Sequence, residues 1–192
     1  MIIYYTDKYT GSREDSRRLL RKALAVHTGD EQKAKTLAGA LKKGEHGKPF
    51  IDGFSCFSIS HTGNIWAILF AESECGLDIQ FGRKCDMKAI AERWFDPEDA
   101  AGTAALSDER SSEDAFFMVW TRREALTKAL GGTVYDTGLP AVMEGEADIG
   151  GRHYSLADVV FPSLEDAGLP RLYAAVCVEG SLCRCAPEIR VL

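Results

Sequence analysis

The feature that most constrains the fold is a long helical pattern over residues 113–130. The segment "SSED" supplies a serine cap and first-turn acids at its start, and two adjacent glycines follow its end. At about 100° per residue, Val119, Leu126 and Leu130 lie on one face of this helix. We expect that face to pack into a hydrophobic core, which the rest of the chain must complete.

Shorter helical and extended segments alternate along the rest of the chain. The predicted helices cover residues 12–26, 31–43 and 86–93. The predicted strands cover residues 54–59, 65–71, 75–80, 133–137, 153–161 and 172–180. Glycine and proline mark residues 44–53 as a loop. Helices mixed with local hairpins predict an α/β or α+β fold.

Composition and charge argue against several classes of protein. The chain has 192 residues and a net charge of −6, which argues against a nucleic-acid binder that relies on bulk positive charge. No apolar run approaches the ~20 residues of a membrane helix, and the first residues lack the pattern of a signal peptide. We therefore expect a cytoplasmic protein without membrane contact. Its six cysteines are scattered without a CxxC pair, which favours free thiols over zinc or disulfides.

One face of the long helix combines aromatic and charged side chains. Phe117, Trp120, Glu124 and Lys128 lie close to one line along its surface. One interpretation is a solvated Glu–Lys pair one turn apart, which contributes about 0.3–0.5 kcal/mol, with the aromatics packed against a neighbouring helix. The other is a functional carboxylate and ammonium held side by side. The helix alone leaves both interpretations open.

The segment "CGLDIQ" places polar side chains on a strand of otherwise apolar residues. Asp78 and Gln80 are two residues apart, so their side chains point to the same side of the strand. Gly76 allows another backbone or a ligand to approach closely. Together with Glu124, the oxygens of Asp78 and Gln80 would form a hard ligand set suited to Mg²⁺. The alternative is an edge strand with a hydrogen-bonded aspartate.

The segment "SHTGN" is predicted to connect two strands of a hairpin. A serine beside a histidine suggests a hydrolase, but adjacent strand residues point to opposite faces and no G-x-S-x-G elbow is present. Ser60, His61 and Thr62 would instead donate hydrogen bonds to phosphate oxygens. Lys48 and Lys128 would add positive charge for a polyanion. The alternative is a hairpin with polar residues at its tip and no ligand.

Four motifs follow one another over about residues 47–128: "GKP", "FSISHTG", "GLDIQ" and "WTRREALTK". A further segment, "RWFDPED", lies between the last two. This arrangement resembles the 4′-phosphopantetheinyl transferase superfamily, in particular its larger, monomeric Sfp-type class. The signatures of that family read roughly (V/I)G(V/I/L)D and (F/W)xxKExxxK, and they correspond here to "CGLDIQ" and "WTRREALTK".

The resemblance implies two similar α/β halves in one chain, residues 1–75 and 76–192, with coenzyme A bound in the cleft between them. It implies Mg²⁺-dependent transfer, with Mn²⁺ as an alternative metal, of the 4′-phosphopantetheine arm to a serine of an acyl- or peptidyl-carrier protein. Adenosine 3′,5′-bisphosphate would be released. The expected partners are coenzyme A and a carrier protein, and the expected state is a monomer. The competing hypothesis is a non-catalytic module that binds coenzyme A or carrier proteins.

The resemblance also implies roles for individual positions. The implied metal ligands are Asp78, Gln80 and Glu124. The implied catalytic residues are Asp78, Glu124 and Lys128. The implied coenzyme A contacts are Lys48, Ser60, His61, Arg123 and Lys128. Glu124, or a water that it orients, would accept the proton of the attacking serine.

Several positions depart from the family pattern. Gln80 stands where many members carry a second acid, which predicts weaker Mg²⁺ binding. Arg123 replaces the usual lysine before Glu124, and its planar fork is not equivalent to a point charge. The acid of the intermediate segment corresponds to Asp99 or Glu98. Basic residues that bind the 3′-phosphate in some relatives have no clear counterpart, and the candidates are Arg13, Arg17 and Arg18.

Overall fold

The computed structural model describes residues 1–44, 46–106, 108–133, 138–161, 164, 170–182 and 187–192. In this part of the chain, five α-helices and ten β-strands form a mixed α/β structure, which confirms the predicted class. The helices are α1 (Arg13–Thr28), α2 (Glu31–Gly39), α3 (Met87–Trp94), α4 (Pro97–Ala104) and α5 (Glu109–Leu130). The strands are β1 (Ile2–Thr6), β2 (Lys42–Lys43), β3 (Pro49–Phe50), β4 (Cys56–Thr62), β5 (Ile65–Ala71), β6 (Cys75–Phe81), β7 (Glu146–Ile149), β8 (Arg152–Asp158), β9 (Leu172–Glu179) and β10 (Glu188–Val191).

The first sheet has the strand order β10–β1–β5–β4. Strand β1 runs parallel to β10 and antiparallel to β5, so the last strand of the chain joins the sheet that contains the first. Every residue of β5 is buried, because both faces of this central strand are covered. Helices α1 and α2 cover one face, where Leu20 and Leu24 belong to the same cluster as Trp66, Ile68 and Phe70.

The second sheet is antiparallel throughout, with the order β6–β9–β8–β7. Successive side chains of β9 point to opposite faces. Ala175 lies in a cluster with Val119 and Leu126 of α5, which confirms the predicted core face of that helix at these two residues. The next residue, Val176, lies in a separate cluster that contains Leu69 of the first sheet. The second sheet therefore has α5 on one face and shares a core with the first sheet on the other.

The two sheets also meet along their edge strands, β4 and β6. Three hydroxyl groups of β4 accept hydrogen bonds from alternate backbone N–H groups of β6. The pairs are Ser58 Oγ with Leu77 N at 3.0 Å, Ser60 Oγ with Ile79 N at 3.2 Å, and Thr62 Oγ1 with Phe81 N at 3.4 Å. We call this row the hydroxyl seam. It satisfies donors at a sheet edge and fixes the position of β6 along β4.

The two best-defined helical predictions have different outcomes. Helix α1 agrees with its prediction, since Ser12 caps it and Gly29 ends it in the left-handed region with φ at 70°. Helix α5 starts earlier than predicted, and its cap is the carboxylate of Asp108, which accepts a hydrogen bond from the backbone of Ser111 at 2.9 Å. The predicted core position of Leu130 is wrong. This residue is the last of the helix and is 36% exposed.

The predicted hairpin around "SHTGN" is present, and β5 has the predicted bounds, but β4 covers residues 56–62 rather than 54–59. Strand β4 continues through Thr62, so Gly63 and Asn64 alone form the turn. Residues 60–62 pair with residues 65–67 of β5, and Ser60 and Thr62 also bond to β6 through the hydroxyl seam. Ser60 therefore lies inside the sheet rather than at a hairpin tip.

Other boundaries also differ from the predictions. Helix α2 is shorter than predicted, because the last two residues of the predicted helix form β2, which pairs with β3 inside the predicted loop. The sequence did not predict β1, α4, β7 or β10, and the predicted strand at β8 extended beyond Asp158. Most of the strand predicted at 133–137 lies outside the described residues, because the description stops at Thr133 and resumes at Gly138.

The cysteines in the described ranges are free thiols, as predicted. They are Cys56, Cys75, Cys85 and Cys177. Burial raises the pKa of Cys75 and of Cys177 to about 12, so neither thiol forms a reactive thiolate at neutral pH. The remaining two cysteines lie outside the described residues. Among the helices described, none is long and apolar enough to cross a membrane.

Candidate active site

Helix α5 lies directly against β6 at Gly76. A Cβ atom at this position would lie 1.8 Å from the carbonyl oxygen of Ala125 and 2.7 Å from the backbone nitrogen of Ala129. Only glycine permits this approach, because both atoms belong to a helix backbone and cannot rotate away. The predicted close approach at Gly76 is therefore confirmed, and the approaching group is α5. This contact brings α5 close to the side chain of Asp78.

Asp78 is a buried carboxylate that pairs with a lysine of α5. The residue is 7% exposed, and Oδ1 lies 2.7 Å from Nζ of Lys128. The same ammonium donates to the backbone carbonyl of Leu77 at 3.1 Å and to Oγ of Ser60 at 3.0 Å. Burying a carboxylate is costly unless a cation and hydrogen bonds compensate, and both do so here. Asp78 is thus held in one orientation by neighbouring side chains.

Glu124 lies on α5 one turn before Lys128. Burial and the negative charge of Asp78 raise the pKa of Glu124 to about 7, against the opposing effects of Lys128 and Arg123. Two carboxylates therefore repel each other beside one ammonium. Such perturbed groups occur preferentially at binding and catalytic sites. The geometry favours the functional interpretation of the Glu124–Lys128 face over a solvated pair, because Lys128 bonds to β6 rather than extending into water.

Ser60 and His61 point in opposite directions, as the alternation of strand side chains predicts. Ser60 is 5% exposed and donates to Oδ1 of Asp78 at 3.0 Å. His61 is exposed, and its ring lies 5.1 Å from the ring of Tyr9. The two residues do not form a nucleophile–base pair, so the arrangement does not support a Ser60–His61 hydrolase.

Gln80 lies on the same strand as Asp78 and lines a small cavity that also contains Phe117 and Trp120. Its amide nitrogen donates to the carbonyl of Phe81 at 2.9 Å, which leaves the amide oxygen as the atom suited to a cation. Among the described residues, no cluster of three or more histidine, cysteine, aspartate or glutamate side chains could hold a metal. A set of two carboxylates and one amide oxygen is nevertheless compatible with Mg²⁺, which keeps several waters and needs few protein ligands.

Comparisons with known proteins show a similarity over part of the chain. The sequence model of the 4′-phosphopantetheinyl transferase superfamily matches residues 74–144, the segment that contains Asp78, Glu124 and Lys128. In this segment the chain is similar to that superfamily.

Curated phosphopantetheinyl transferases are similar to about half of the chain. The chain is 32% identical over 95 residues to the 4′-phosphopantetheinyl transferase gsp of Aneurinibacillus migulanus. This match covers 50% of this chain and 39% of that protein. The chain is 34% identical over 109 residues to the 4′-phosphopantetheinyl transferase AcpT of Salmonella typhi, covering 52% of this chain and 56% of that protein. The AcpT of Escherichia coli O157:H7 is 32% identical over 96 residues, covering 48% of this chain and 49% of that protein. The chain thus spans about half the length of the curated relatives that it matches.

Lys48, the lysine of the "GKP" motif, lies near the C-terminal end of α5. Its Nζ is 2.5 Å from Oε2 of Glu74 and 2.9 Å from the carbonyl oxygen of Ala129. A cation at this end of a helix is stabilised by unpaired carbonyl groups and by the helix dipole. None of these contacts links Lys48 to Asp78, so the "GKP" and "GLDIQ" motifs meet α5 at separate points.

Arg123, the departure from the transferase signature, is turned into the protein. The residue is 8% exposed, and its guanidinium lies 5.9 Å from the ring centre of Phe95. Nη1 is buried without a hydrogen-bond partner among the described residues. Burial lowers the pKa of Arg123, while the nearby charges of Asp99, Asp96 and Glu124 oppose that change. Sequence reasoning did not anticipate the burial of this arginine.

The structure distinguishes the two acids of the "RWFDPED" segment. Asp99 is fully buried and accepts hydrogen bonds from the backbone of Val142 at 3.0 Å and of Met143 at 2.9 Å. Burial raises the pKa of Asp99, although these hydrogen bonds and the charge of Arg123 act against the shift. Glu98 is exposed in the first turn of α4. Asp99 is therefore the acid that the fold incorporates.

The basic residues proposed for a 3′-phosphate are exposed on the first two turns of α1. They are Arg13, Arg17 and Arg18. Arg18 is already paired with Asp15, with Nη2 and Oδ1 separated by 2.5 Å. The other two lie on the surface of the helix.

The sequence reading also missed the contact between Ser60 and the Asp78–Lys128 pair. A signal was present, since residues 58, 60 and 62 carry hydroxyl groups at alternate positions of one strand. Alternate strand residues share a face, so this pattern indicates a row of hydrogen-bonding groups facing a neighbour. The identity of that neighbour depends on a pairing between distant parts of the chain.

Proposed function

We propose that this protein transfers the 4′-phosphopantetheine arm of coenzyme A to a serine of an acyl- or peptidyl-carrier protein. The observation that carries the proposal is the convergence of Asp78, Glu124 and Lys128 where α5 crosses β6. These residues occupy the two motifs within the segment that matches the superfamily. Adenosine 3′,5′-bisphosphate would be the second product.

Asp78 and Glu124 would hold Mg²⁺, or Mn²⁺ in its place, and the amide oxygen of Gln80 would be a third ligand. A divalent ion supplies positive charge that neutralises the pyrophosphate oxygens of coenzyme A during transfer. Burial and the charge of Asp78 raise the pKa of Glu124. A cation bound by both carboxylates would relieve the repulsion between them, which supports this assignment. The neutral amide of Gln80 contributes no charge, so we expect weaker metal binding than with a third carboxylate.

Lys128 would bind the pyrophosphate of coenzyme A. Its ammonium would stabilise the negative charge that develops on the leaving group. Glu124, directly or through one water, would accept the proton of the carrier serine. The serine oxygen then forms a bond to the phosphorus that carries the pantetheine arm. The bond from that phosphorus to the bridging oxygen breaks, and adenosine 3′,5′-bisphosphate leaves with the electron pair.

The other residues proposed to contact coenzyme A differ in their exposure to solvent. His61 is exposed and Lys48 is partly exposed, so both can reach a phosphate of coenzyme A. Ser60 and Arg123 are buried and directed toward other protein groups. We propose that Ser60 and Arg123 support the coenzyme site from within the protein.

We also propose an Sfp-type architecture, with two α/β halves in residues 1–75 and 76–192 acting as a monomer. The order of the sheets supports this division. Strands β1, β4 and β5 precede residue 75 and lie in the first sheet, and β6 to β9 follow in the second. Strand β10 returns to the first sheet and connects the two halves. Coenzyme A would bind near the line where β4 and β6 meet.

The test is a mass-shift assay with purified protein, coenzyme A, Mg²⁺ and a panel of apo-carrier proteins. We expect at least one carrier to gain the mass of a single phosphopantetheine arm. A known transferase assayed in parallel shows that each carrier is competent. If the known enzyme modifies the carriers and this protein modifies none, the proposal is wrong. Calorimetric binding of coenzyme A without any mass gain would instead identify the non-catalytic module.

A further inference from the structure

The hydroxyl of Ser60 lies at the centre of the candidate site without being exposed to solvent. We infer that Ser60 is a positioning residue, which orients the Asp78 carboxylate and the Lys128 ammonium for the metal and the pyrophosphate. This inference rests on the proposed function. It also assigns Ser60 a different role from a direct contact with coenzyme A, because the residue is 5% exposed and its hydroxyl is already bonded.

Three hydrogen bonds fix the orientation of the Ser60 hydroxyl. Its oxygen accepts from the backbone N–H of Ile79 at 3.2 Å and from Nζ of Lys128 at 3.0 Å. A hydroxyl has two acceptor positions and one donor. Since both acceptor positions are occupied by N–H groups, the O–H is left to donate to Oδ1 of Asp78, which lies 3.0 Å away. The hydroxyl of this β4 residue therefore links the backbone of β6 at Ile79 to the side chain of Asp78 on the same strand.

These contacts distinguish the two oxygens of Asp78. Ser60 and Lys128 both bond to Oδ1, at 3.0 Å and 2.7 Å. Oδ2 is the oxygen that this arrangement leaves for a cation. Carboxylates that bind metals are commonly held by hydrogen bonds of this kind, and loss of such a bond typically weakens metal binding about 10–100-fold. Without the hydroxyl, the carboxylate can rotate and Lys128 loses one of its three acceptors.

Ser58 provides a matched control within the same strand. It is buried and accepts from the backbone N–H of Leu77 at 3.0 Å, so it belongs to the hydroxyl seam as Ser60 does. Among the described contacts, Ser58 bonds to neither Asp78 nor Lys128. A serine-to-alanine change removes one seam hydrogen bond at either position, but it disturbs the carboxylate only at Ser60.

The experiment compares the wild-type protein with Ser60→Ala and Ser58→Ala. Mn²⁺ binding to the protein without coenzyme is measured by electron paramagnetic resonance, and the Mg²⁺ dependence of carrier modification is measured separately. We expect Ser60→Ala to weaken Mn²⁺ binding about 10–100-fold and to raise the KM for Mg²⁺ more than it lowers kcat. We expect Ser58→Ala to change the affinity for Mn²⁺ less than about twofold. The melting temperature should fall by a similar amount in Ser58→Ala and Ser60→Ala, because each change removes one seam hydrogen bond.

A second pair of variants keeps the test decisive if Ser60→Ala does not fold. Ser60→Thr and Ser60→Val have the same shape, but only threonine retains the hydroxyl. Thr62 makes the same type of seam contact, so a β-branched residue suits this strand. We expect the threonine variant to bind Mn²⁺ at least about tenfold more tightly than the valine variant.

Three outcomes would contradict either the inference or the function on which it rests. Equal metal affinity in Ser60→Ala and Ser58→Ala, or in the threonine and valine variants, would show that the hydroxyl has only a structural role. A wild-type protein that neither binds Mn²⁺ nor modifies any carrier would contradict the proposed function itself. Wild-type transfer combined with equal affinities of the paired variants would contradict the positioning role alone.

Discussion

Helix α5 contributes a basic residue to each of two buried regions, and the two regions satisfy their carboxylates differently. In the first, Asp78 bonds to the side chains of Ser60 and Lys128. In the second, Asp99 bonds to the backbone N–H groups of Val142 and Met143, while Arg123 acts on it through its charge. Nη1 of Arg123 has no hydrogen-bond partner in the described part of the chain.

The difference shows how burial can serve function or folding. A carboxylate held by side chains can exchange one partner for a ligand while the backbone stays in place. A carboxylate that satisfies backbone N–H groups cannot leave them without exposing unpaired donors. We therefore interpret the Asp78 region as the reaction site and the Asp99 region as a support that fixes α4 against the chain at 142–143.

The largest expected effect is on activity, from Glu124→Gln. This change keeps the shape of the side chain but removes the charge that would bind metal and accept the serine proton. We expect carrier modification to fall at least about 10²–10⁴-fold, as for the loss of a general base. The melting temperature at pH 8 should not fall, because burial disfavours the charged form that is lost. Retained turnover in this variant would contradict the assignment of the first region.

The next effect is on stability, from Asp99→Ala. This change leaves two backbone N–H groups without their acceptor, and we expect it to lower the free energy of unfolding by about 2–4 kcal/mol. Urea denaturation measures the change. Glu98→Ala is the matched control, since Glu98 is exposed, and it should lower the stability by less than about 1 kcal/mol. Equal losses of unfolding free energy in the two variants would contradict the conclusion that Asp99, and not Glu98, supports the fold.

The third expectation concerns pH in the absence of divalent metal. Burial and the charge of Asp78 raise the pKa of Glu124 to about 7 from an ordinary value of 4.5, so the folded protein binds this proton more tightly than the unfolded chain. The stability from Glu124 is thus fully present below about pH 4.5 and is lost as the pH rises to about 7.

Thermal melts of the wild type and Glu124→Gln from pH 4.5 to 8 measure this contribution. The difference between the two proteins should grow in favour of the glutamine variant as the pH rises, and Mg²⁺ should reduce it. Comparison with this variant cancels the contribution of Asp99, whose pKa is also raised. Parallel pH profiles for the two proteins would show that Glu124 is not perturbed as described.

The smallest expected effect is on coenzyme affinity, from Arg123→Lys. Arg123 is buried and directed toward Phe95, so we expect the KM for coenzyme A to change less than about threefold. Steady-state kinetics over a range of coenzyme concentrations measure this value. A much larger increase in KM with unchanged kcat would show that Arg123 binds the coenzyme. The Asp99 region would then take part in the reaction, as the Asp78 region is proposed to do.

The sequence allowed prediction of features that depend on neighbouring residues. Ser12 and Gly29 mark the ends of α1, and the alternation in β6 places Asp78 and Gln80 on one face. The alternation in β4 likewise separates Ser60 from His61. These features follow from local backbone geometry, which a short stretch of sequence specifies.

Features that depend on distant pairings could not be predicted in this way. The position of Ser60 within β4 depends on backbone donors of β6, and the burial of Arg123 depends on α3 and α4. The first sheet needs β10, which lies at the opposite end of the chain from β1. Motifs predict the chemistry of the candidate site, but tertiary packing determines which of its residues can reach a ligand.

The central claim is that Asp78 serves the reaction and Asp99 serves the fold. The most direct measurement is the initial rate of carrier modification, per folded molecule, for Asp78→Asn and Asp99→Asn under the same Mg²⁺ and coenzyme A concentrations. Both changes remove one buried negative charge with little change in shape. We expect Asp78→Asn to lose transfer by at least about 10²-fold and Asp99→Asn to stay within about tenfold of the wild type. Full transfer by Asp78→Asn, or equal losses in both variants, would contradict the account.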